Sequence, residues 1–166
     1  YGTLGEILTQ KAGNINLGVE GMMYLGAIAG FLAGYYTGSA VLILLLGMTA
    51  GAFGALLYAF LTVTLKANQN VTGLTLTIFG TGIANFLGEK TKLGAPVGTV
   101  FMSPRLRELL SPLHLGALSD LPVIGPLLFH HSILTYLALA LGVAMSIYLK
   151  RTRLGLNLRA VGENPA

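Results

Sequence analysis

Residues 21–65 read GMMYLGAIAGFLAGYYTGSAVLILLLGMTAGAFGALLYAFLTVTL and contain no Asp, Glu, Lys, Arg or His. A helix needs only about 20 apolar residues to cross the hydrocarbon core of a bilayer, so this stretch must turn back at least once. The whole chain is 54% hydrophobic and 10% charged, whereas a soluble domain carries about 25% charged residues. Such a composition cannot cover a water-facing surface, and it predicts a chain that lies in a membrane.

The pattern of apolar runs predicts an all-α polytopic transmembrane helix bundle with about four spans. The third run carries several Thr and one Asn, which leaves open a full crossing or a partly re-entrant segment, and a crossing is favoured. A long connection that holds five of the six prolines precedes the last run, and it includes a possible short interfacial helix at residues 105–110. The predicted spans are residues 17–36, 39–65, 71–88 and 132–149, with the connection at residues 89–131.

The basic residues near the end of the chain predict its orientation. Lys150, Arg151, Arg153 and Arg159 follow the last span closely, and short loops rich in Lys and Arg stay on the cytoplasmic side. Residues 150–166 are therefore predicted to be cytoplasmic. Four crossings then place both termini of this chain and the loop after the second span inside, and the long connection outside. The net charge of +4 is small and unevenly placed, and it indicates topology rather than a nucleic-acid partner.

Small residues recur every fourth position along the first two spans. At this spacing they share one helix face and let two helix backbones approach closely in lipid. The pattern predicts that these spans pack within a bundle. The residues are Gly26, Gly30, Gly34 and Gly38 on the first span, and Gly47, Gly51, Ala55 and Ala59 on the second.

The sequence offers little for catalysis or metal binding. The chain has no cysteine, and its acidic residues form no close pair within a span that is suited to acid–base chemistry. His130 and His131 have no partners at metal-ligand spacing and are interpreted as an interfacial pair. Residues 88–91 read GEKT, but Glu89 interrupts the Gly-Lys-Thr order of a phosphate-binding loop. We therefore predict no enzyme activity, no metal and no nucleotide site in this chain.

Two polar features remain as candidate sites. Thr77, Thr81 and Asn85 follow Gly73 at four-residue steps on the third span. They are predicted either to make interhelical hydrogen bonds, which is the favoured interpretation, or to line a solute path. The second feature is the set Asn14, Asn16 and Glu20 among glycines. It is predicted either to cap and hinge the first span, which is slightly favoured, or to bind solute through a carboxylate at the membrane boundary.

Four stretches of the sequence resemble one family. Residues 3–8 read TLGEIL and residues 13–23 read GNINLGVEGMM, while residues 65–74 read LKANQNVTGL and residues 154–166 read LGLNLRAVGENPA. Together they resemble permeases of bacterial ABC importers for ribose, branched-chain amino acids and nucleosides. The wording GVEGMM looks most like the nucleoside and simple-sugar branch. Since members of that family continue past the Glu-Asn-Pro motif into further helices, the resemblance implies that this chain is a fragment.

The resemblance also implies partners and a working part. A permease of this family lies in the cytoplasmic (inner) membrane and pairs with a second permease subunit. ATPase subunits bind the ATP, and an extracytoplasmic solute-binding protein delivers the solute. In the family, the loop matching residues 154–166 docks on the ATPase. Carried over to this sequence, the coupling residues are Arg159, Gly162, Glu163, Asn164 and Pro165.

Two other classes of function stay open at this point. An ion-coupled secondary transporter or a channel would use Glu20 as its ion-coupling residue. A purely structural membrane scaffold would need only the helix-packing glycines.

Overall fold

The computed structural model describes residues 1–91, 111–112 and 131–163. These residues form six α-helices and no strand, which confirms the predicted all-α polytopic bundle. Helix α3 continues directly into a π-helical segment, Phe60–Thr64. The helices are α1 (Gly2–Lys11), α2 (Val19–Thr37), α3 (Ala40–Ala59), α4 (Gln69–Thr91), α5 (Ile133–Arg151) and α6 (Arg153–Glu163).

Three helical stretches of the described chain are long and apolar enough to cross a membrane. They are Ala40–Thr64, Gln69–Thr91 and Ile133–Arg151. The second has 23 residues, a length of about 34 Å, so it is long enough for the crossing that we favoured for this segment. Helix α2 corresponds to the first predicted span and has 19 residues. It carries Glu20 in its first turn.

The outer faces of these helices are apolar and exposed. In α3, Leu45 is 52% and Phe53 61% exposed, and in α4 Ile78 is 73% exposed. Such side chains would be costly in water but suit contact with lipid tails. The small buried core consists of Met22, Tyr58 and Leu76, from three successive helices.

Helices α2 and α3 are antiparallel and meet through glycine. A Cβ atom built on Gly26 would lie 2.9 Å from the carbonyl oxygen of Gly47, and one built on Gly30 would lie 3.2 Å from that of Ile43. Nearer the start of α2, a Cβ on Gly54 would lie 3.1 Å from Met22. The predicted glycine stripes therefore form this helix contact.

Helices α2 and α4 are parallel and meet through a second set of glycines. A Cβ on Gly73 would lie 2.9 Å from the backbone nitrogen of Gly18, and one on Gly80 would lie 2.7 Å from the Cα atom of Gly21. Since both close approaches are between backbones, no side chain can move aside to make room. Helix α2 is thus held between α3 and α4.

Helix α1 runs along α5 in the same direction. The Tyr1 hydroxyl donates to the carbonyl oxygen of Leu134 (2.6 Å), near the start of α5. At the other end, Lys11 and Lys150 line one groove. The chain then turns at Thr152, whose backbone is extended.

Helix α4 ends later than predicted, and most of the long connection that follows it lies outside the described residues. Helix α4 continues through Thr91, where the sequence placed the start of the long connection. The last residue is held because the Thr91 hydroxyl donates to the carbonyl oxygens of Leu87 (3.1 Å) and Gly88 (2.8 Å). Most of the connection, with residues 105–110 and His130, lies outside the described residues.

Candidate functional site

One end of the bundle collects three separate chain segments. The backbone N–H of Ile15 donates to the side-chain oxygen of Gln69 (2.9 Å). The Tyr58 hydroxyl donates to the carbonyl oxygen of Ile15 (2.6 Å). A Cβ on Gly13 would lie 3.2 Å from the Cα atom of Gly162. Residues 12–18, the start of α4 and the end of α6 therefore lie together.

The same end carries most of the basic residues of the described chain. Lys11 ends α1, and the short segment between the π-helix and α4 holds Lys66. The remaining four lie at the end of α5 and on α6: Lys150, Arg151, Arg153 and Arg159. The structure thus brings together at one end the residues whose charge predicts the cytoplasmic side by the positive-inside rule.

Helix α6 begins at a side-chain cap. The Thr152 hydroxyl accepts a hydrogen bond from the backbone N–H of Gly155 (3.0 Å) and donates to the carbonyl oxygen of Tyr148 (2.7 Å). The hydroxyl thus ties the first turn of α6 to the last turn of α5. A side chain at Gly155 would collide with the backbone of Tyr148 and Leu149, so this sharp turn requires glycine there.

Three of the five predicted coupling residues lie on α6. Arg159 and Glu163 form an ion pair of 3.9 Å, with side chains 41% and 76% exposed. Because both side chains are exposed, both charges are accessible to another molecule. An exposed pair of this kind adds at most about 1 kcal/mol to stability. Gly162 faces inward, against the backbone of Lys11 and Gly13. Asn164 and Pro165 lie outside the described residues.

Helix α6 also exposes apolar side chains. Leu154 is 67%, Leu156 52% and Val161 61% exposed. Large apolar side chains combined with an accessible ion pair on an 11-residue helix are typical of a surface that another molecule covers.

The turn before α2 is built around Asn16, which is 6% exposed. Its side-chain oxygen accepts from the backbone N–H of Gly18 (2.9 Å), and its side-chain nitrogen contacts the sulfur of Met22 at 3.7 Å. The backbone N–H of Asn16 donates to Glu6 (3.3 Å). Asn16 therefore shapes the turn before α2. It does not cap the helix as predicted, because the N-cap residue is Gly18 and no side chain caps the first turn.

The surroundings of Asn14 and Glu20 differ from those of Asn16. The side-chain oxygen of Asn14 is buried and has no hydrogen-bond partner among the described residues. Glu20 is exposed and lines a shallow open groove with Met23, Tyr24 and Ala27. The three residues thus do not form one binding site in this structure.

The residues of the polar stripe on α4 differ in their hydrogen bonds and exposure. The Thr77 hydroxyl donates across to the carbonyl oxygen of Leu17 (3.0 Å). The Thr81 hydroxyl donates within its own helix, to Thr77 (2.9 Å) and Ile78 (3.0 Å). Asn85 is exposed. The Thr77 bond ties α4 to the turn before α2, since Leu17 precedes the start of that helix at Val19. Both interpretations of the stripe, interhelical bonding and a solute path, therefore stay predictions.

Sequence reasoning missed two residues that hold this end together. The Glu6 carboxylate accepts from the side chains of Gln10 (3.0 Å) and Thr9 (3.2 Å), as well as from Asn16. Tyr58 is 4% exposed and reaches the carbonyl oxygen of Ile15. The sequence offered two signals for these residues. Glu6 is a carboxylate four residues before Gln10 in an apolar helix, and Tyr58 is a lone Tyr in an apolar run.

The described residues offer no metal centre. Among residues 1–91, 111–112 and 131–163, no group of three His, Cys, Asp or Glu side chains could hold an ion. The His131 ring lies against the ring of Tyr136, with centroids 6.5 Å apart. At this end of the bundle, Gly162 on the exposed helix α6 contacts Gly13, in the segment that leads to the turn before α2.

Comparison with known proteins assigns the chain to a family of transport proteins. Residues 2–166 match the family described as branched-chain amino acid transport system, permease component. No solved structure matches the chain.

Three curated relatives align with nearly all of the chain. A putative glucose ABC transporter permease protein of Haloferax volcanii is 36% identical over 166 residues, which are 98% of this chain and 47% of the relative. A nucleoside ABC transporter permease protein of Lactococcus lactis is 31% identical, over 99% of this chain and 52% of its own length. A guanosine ABC transporter permease protein of Bacillus subtilis is 28% identical, over 98% and 51%. The chain thus spans about half the length of these relatives.

Proposed function

The chain belongs to the branched-chain amino acid transport system permease family, and from this premise we propose that it is part of the membrane-spanning subunit of an ABC importer for nucleosides or simple sugars. The named substrates of its relatives, glucose, guanosine and nucleosides, support this class of solute. As in the sequence-based prediction, the chain itself carries out no catalysis. A separate ATPase binds and hydrolyses the ATP.

The observation that carries the proposal is the exposed helix α6 at the basic end of the bundle. Arg159 and Glu163 are accessible, and apolar side chains beside them are uncovered. In this proposal the helix, followed by Asn164 and Pro165, docks on the ATPase. The exposed ion pair supplies charge complementarity, and the apolar residues supply area to bury.

In this proposal Gly162 couples a movement of α6 to the membrane-spanning helices. It touches the backbone of Lys11 and Gly13, and the turn that follows Gly13 leads through Asn16 into α2. Because these contacts join backbones directly, a displacement of α6 cannot be absorbed by side-chain rotation. It would be passed to α1 and to the base of α2, which is the kind of coupling that alternating access needs.

The proposed orientation places the basic end in the cytoplasm. Lys11, Gly13 and α6 then lie inside, as the charge pattern predicts. Tyr1, by contrast, lies beside Leu134, at the opposite end of α5 from Lys150. In this orientation Lys11 lies at the cytoplasmic end, while the placement of the N-terminus itself stays a prediction.

The solute would pass along the bundle between this chain and a second permease subunit. Glu20, Thr77, Thr81 and Asn85, with Asn14 and Asn16 near the base, are our candidate residues for that path. A solute-binding protein would deliver the solute to the opposite face in the cytoplasmic membrane. These assignments draw on the polar character of the residues and on the family.

The test is ATP-driven uptake by the full-length permease, reconstituted with its ATPase and binding protein. We compare the wild type with Arg159→Ala and Glu163→Ala, and with Asn157→Ala as a control on an exposed position of the same helix. We expect the first two variants to remain folded but to lose most uptake per ATP hydrolysed, while the control keeps it.

Two outcomes would contradict the proposal. Equal coupling in all four proteins would remove the docking role of α6. Uptake that survives ATP depletion but collapses with the proton gradient would instead support an ion-coupled transporter, with Glu20 as the first residue to examine.

A further inference from the structure

A groove at the basic end of the bundle is lined by cations from three different helices. Lys11 comes from the last turn of α1, Lys150 from the last turn of α5 and Arg159 from α6. The walls between them are apolar and include Leu4 and Met145. The groove encloses about 370 Å³, within the range of roughly 300–1,000 Å³ that is usual for small-ligand sites.

The positive charge in this groove is poorly neutralised by the described chain. Within the described residues, Lys11 and Lys150 have no ion-pair partner, and Arg159 has only the 3.9 Å contact with Glu163. Glu6, on the same helix as Lys11, is already bonded to Gln10, Thr9 and Asn16. No described carboxylate therefore occupies the space between the three cations.

Helix dipoles explain only part of this arrangement. A lysine in the last turn of a helix is favoured by the partial negative charge there, which accounts for Lys11 and Lys150. Arg159 lies in the interior of α6 and gains nothing from that effect. Arg159 adds a third cation to the same groove, and its ion pair with Glu163 is long, at 3.9 Å.

We propose that this groove binds the phosphate group of an anionic phospholipid from the bilayer, with an acyl chain against the apolar walls. The groove lies where the apolar span of α5 ends in Lys150 and Arg151, which is the depth of lipid headgroups. Basic pockets between helices on the cytoplasmic side attract anionic headgroups. A soluble phosphate would leave the apolar walls unused. The site shares Arg159 with the proposed ATPase-docking helix, whereas Lys11 and Lys150 lie outside that helix.

A matched pair of variants separates this site from general surface charge. Lys150 lines the groove, whereas its neighbour Arg151 does not, so Lys150→Gln and Arg151→Gln remove the same charge one residue apart. The full-length permease is incorporated into vesicles of equal phosphatidylglycerol and phosphatidylcholine and extracted. The lipid that remains bound is then counted by mass spectrometry.

We expect the wild type to retain phosphatidylglycerol preferentially. Lys11→Gln and Lys150→Gln should each reduce the retained phosphatidylglycerol about fivefold, because each variant loses one cation from the groove that holds the lipid phosphate. Arg151→Gln should retain it like the wild type. All variants are first shown to elute as single species with unchanged thermal stability, so that loss of lipid is not loss of fold.

Three results would overturn the proposal. Equal losses in Lys150→Gln and Arg151→Gln would mean diffuse surface attraction. No preference for phosphatidylglycerol in the wild type would mean that another part of the full-length protein fills the groove. Complete release of the lipid by excess inorganic phosphate would mean a site for the free anion.

Discussion

Replacing Gly80 by alanine tests the close contact between α2 and α4. The new Cβ would lie 2.7 Å from both the Cα atom and the carbonyl carbon of Gly21. Carbon atoms pack best at about 3.5–4.0 Å, so α2 and α4 would have to separate by about 1 Å at this point. Overpacking of this kind costs about 1–3 kcal/mol, because both partners are backbone atoms and cannot rotate away.

Gly82→Ala is the matched control for this substitution. It lies two residues along the same helix, and a Cβ there meets nothing within 4 Å. Both variants gain roughly the same helix propensity, about 1 kcal/mol. The difference between them therefore isolates the contact with Gly21.

Thermal unfolding of the full-length protein in detergent measures this difference. The folded fraction after heating is read from size-exclusion chromatography at a fixed heating time. We expect Gly80→Ala to unfold a few degrees below Gly82→Ala, since 1 kcal/mol shifts Tm by about 2–4 °C in a domain of roughly 150–250 residues and by less in a longer chain. Equal Tm values for the two variants would refute the glycine contact between α2 and α4.

Two further substitutions test the polar contacts. Tyr58→Phe deletes the hydrogen bond to Ile15 and should cost about 0.5–1.5 kcal/mol of unfolding free energy, whereas Tyr24→Phe on the exposed surface should cost nothing measurable in the same thermal assay. Thr77→Val deletes the bond to Leu17 and should lower Tm without changing the KM for uptake. A changed KM at unchanged Tm would instead assign Thr77 to the solute path.

Much of the fold follows from one property of the sequence, the absence of charge over long stretches. Residues 21–65 had to form helices that turn back in the membrane, because only a helix satisfies its own backbone in lipid. The structure turns at Gly38, whose left-handed φ of 64° ends α2. The four-residue glycine spacing likewise identified the α2–α3 contact, since small residues on one face have few other uses in lipid.

The motifs predicted the family, and the match over residues 2–166 confirms it. The family could be recognised from one sequence because its motifs are short, contiguous and in a fixed order. The coupling roles of Arg159, Gly162 and Glu163 stay predictions, as do those of Asn164 and Pro165.

The contacts of the basic end could not be read from the sequence. Tyr58 and Ile15 are 43 residues apart, and Gly13 and Gly162 lie at nearly opposite ends of the chain. No periodicity links such pairs, because their contact depends on how the helices are arranged. The i, i+4 spacing of Thr77 and Thr81 was equally ambiguous, since it places two hydroxyls on one face without saying whether that face meets a helix or a solute.

The orientation of the basic end is the central claim of this account, and cysteine accessibility tests it most directly. The chain has no cysteine, so single cysteines can be placed at Thr37, Asn70 and Asn157, all exposed, in a full-length permease otherwise free of cysteine. We predict that a membrane-impermeant thiol reagent labels Thr37→Cys in intact cells, and labels Asn70→Cys and Asn157→Cys only in inside-out vesicles. Labelling of Asn70→Cys or Asn157→Cys from outside intact cells would contradict the account, since the proposed ATPase-docking helix would then face the wrong side of the membrane.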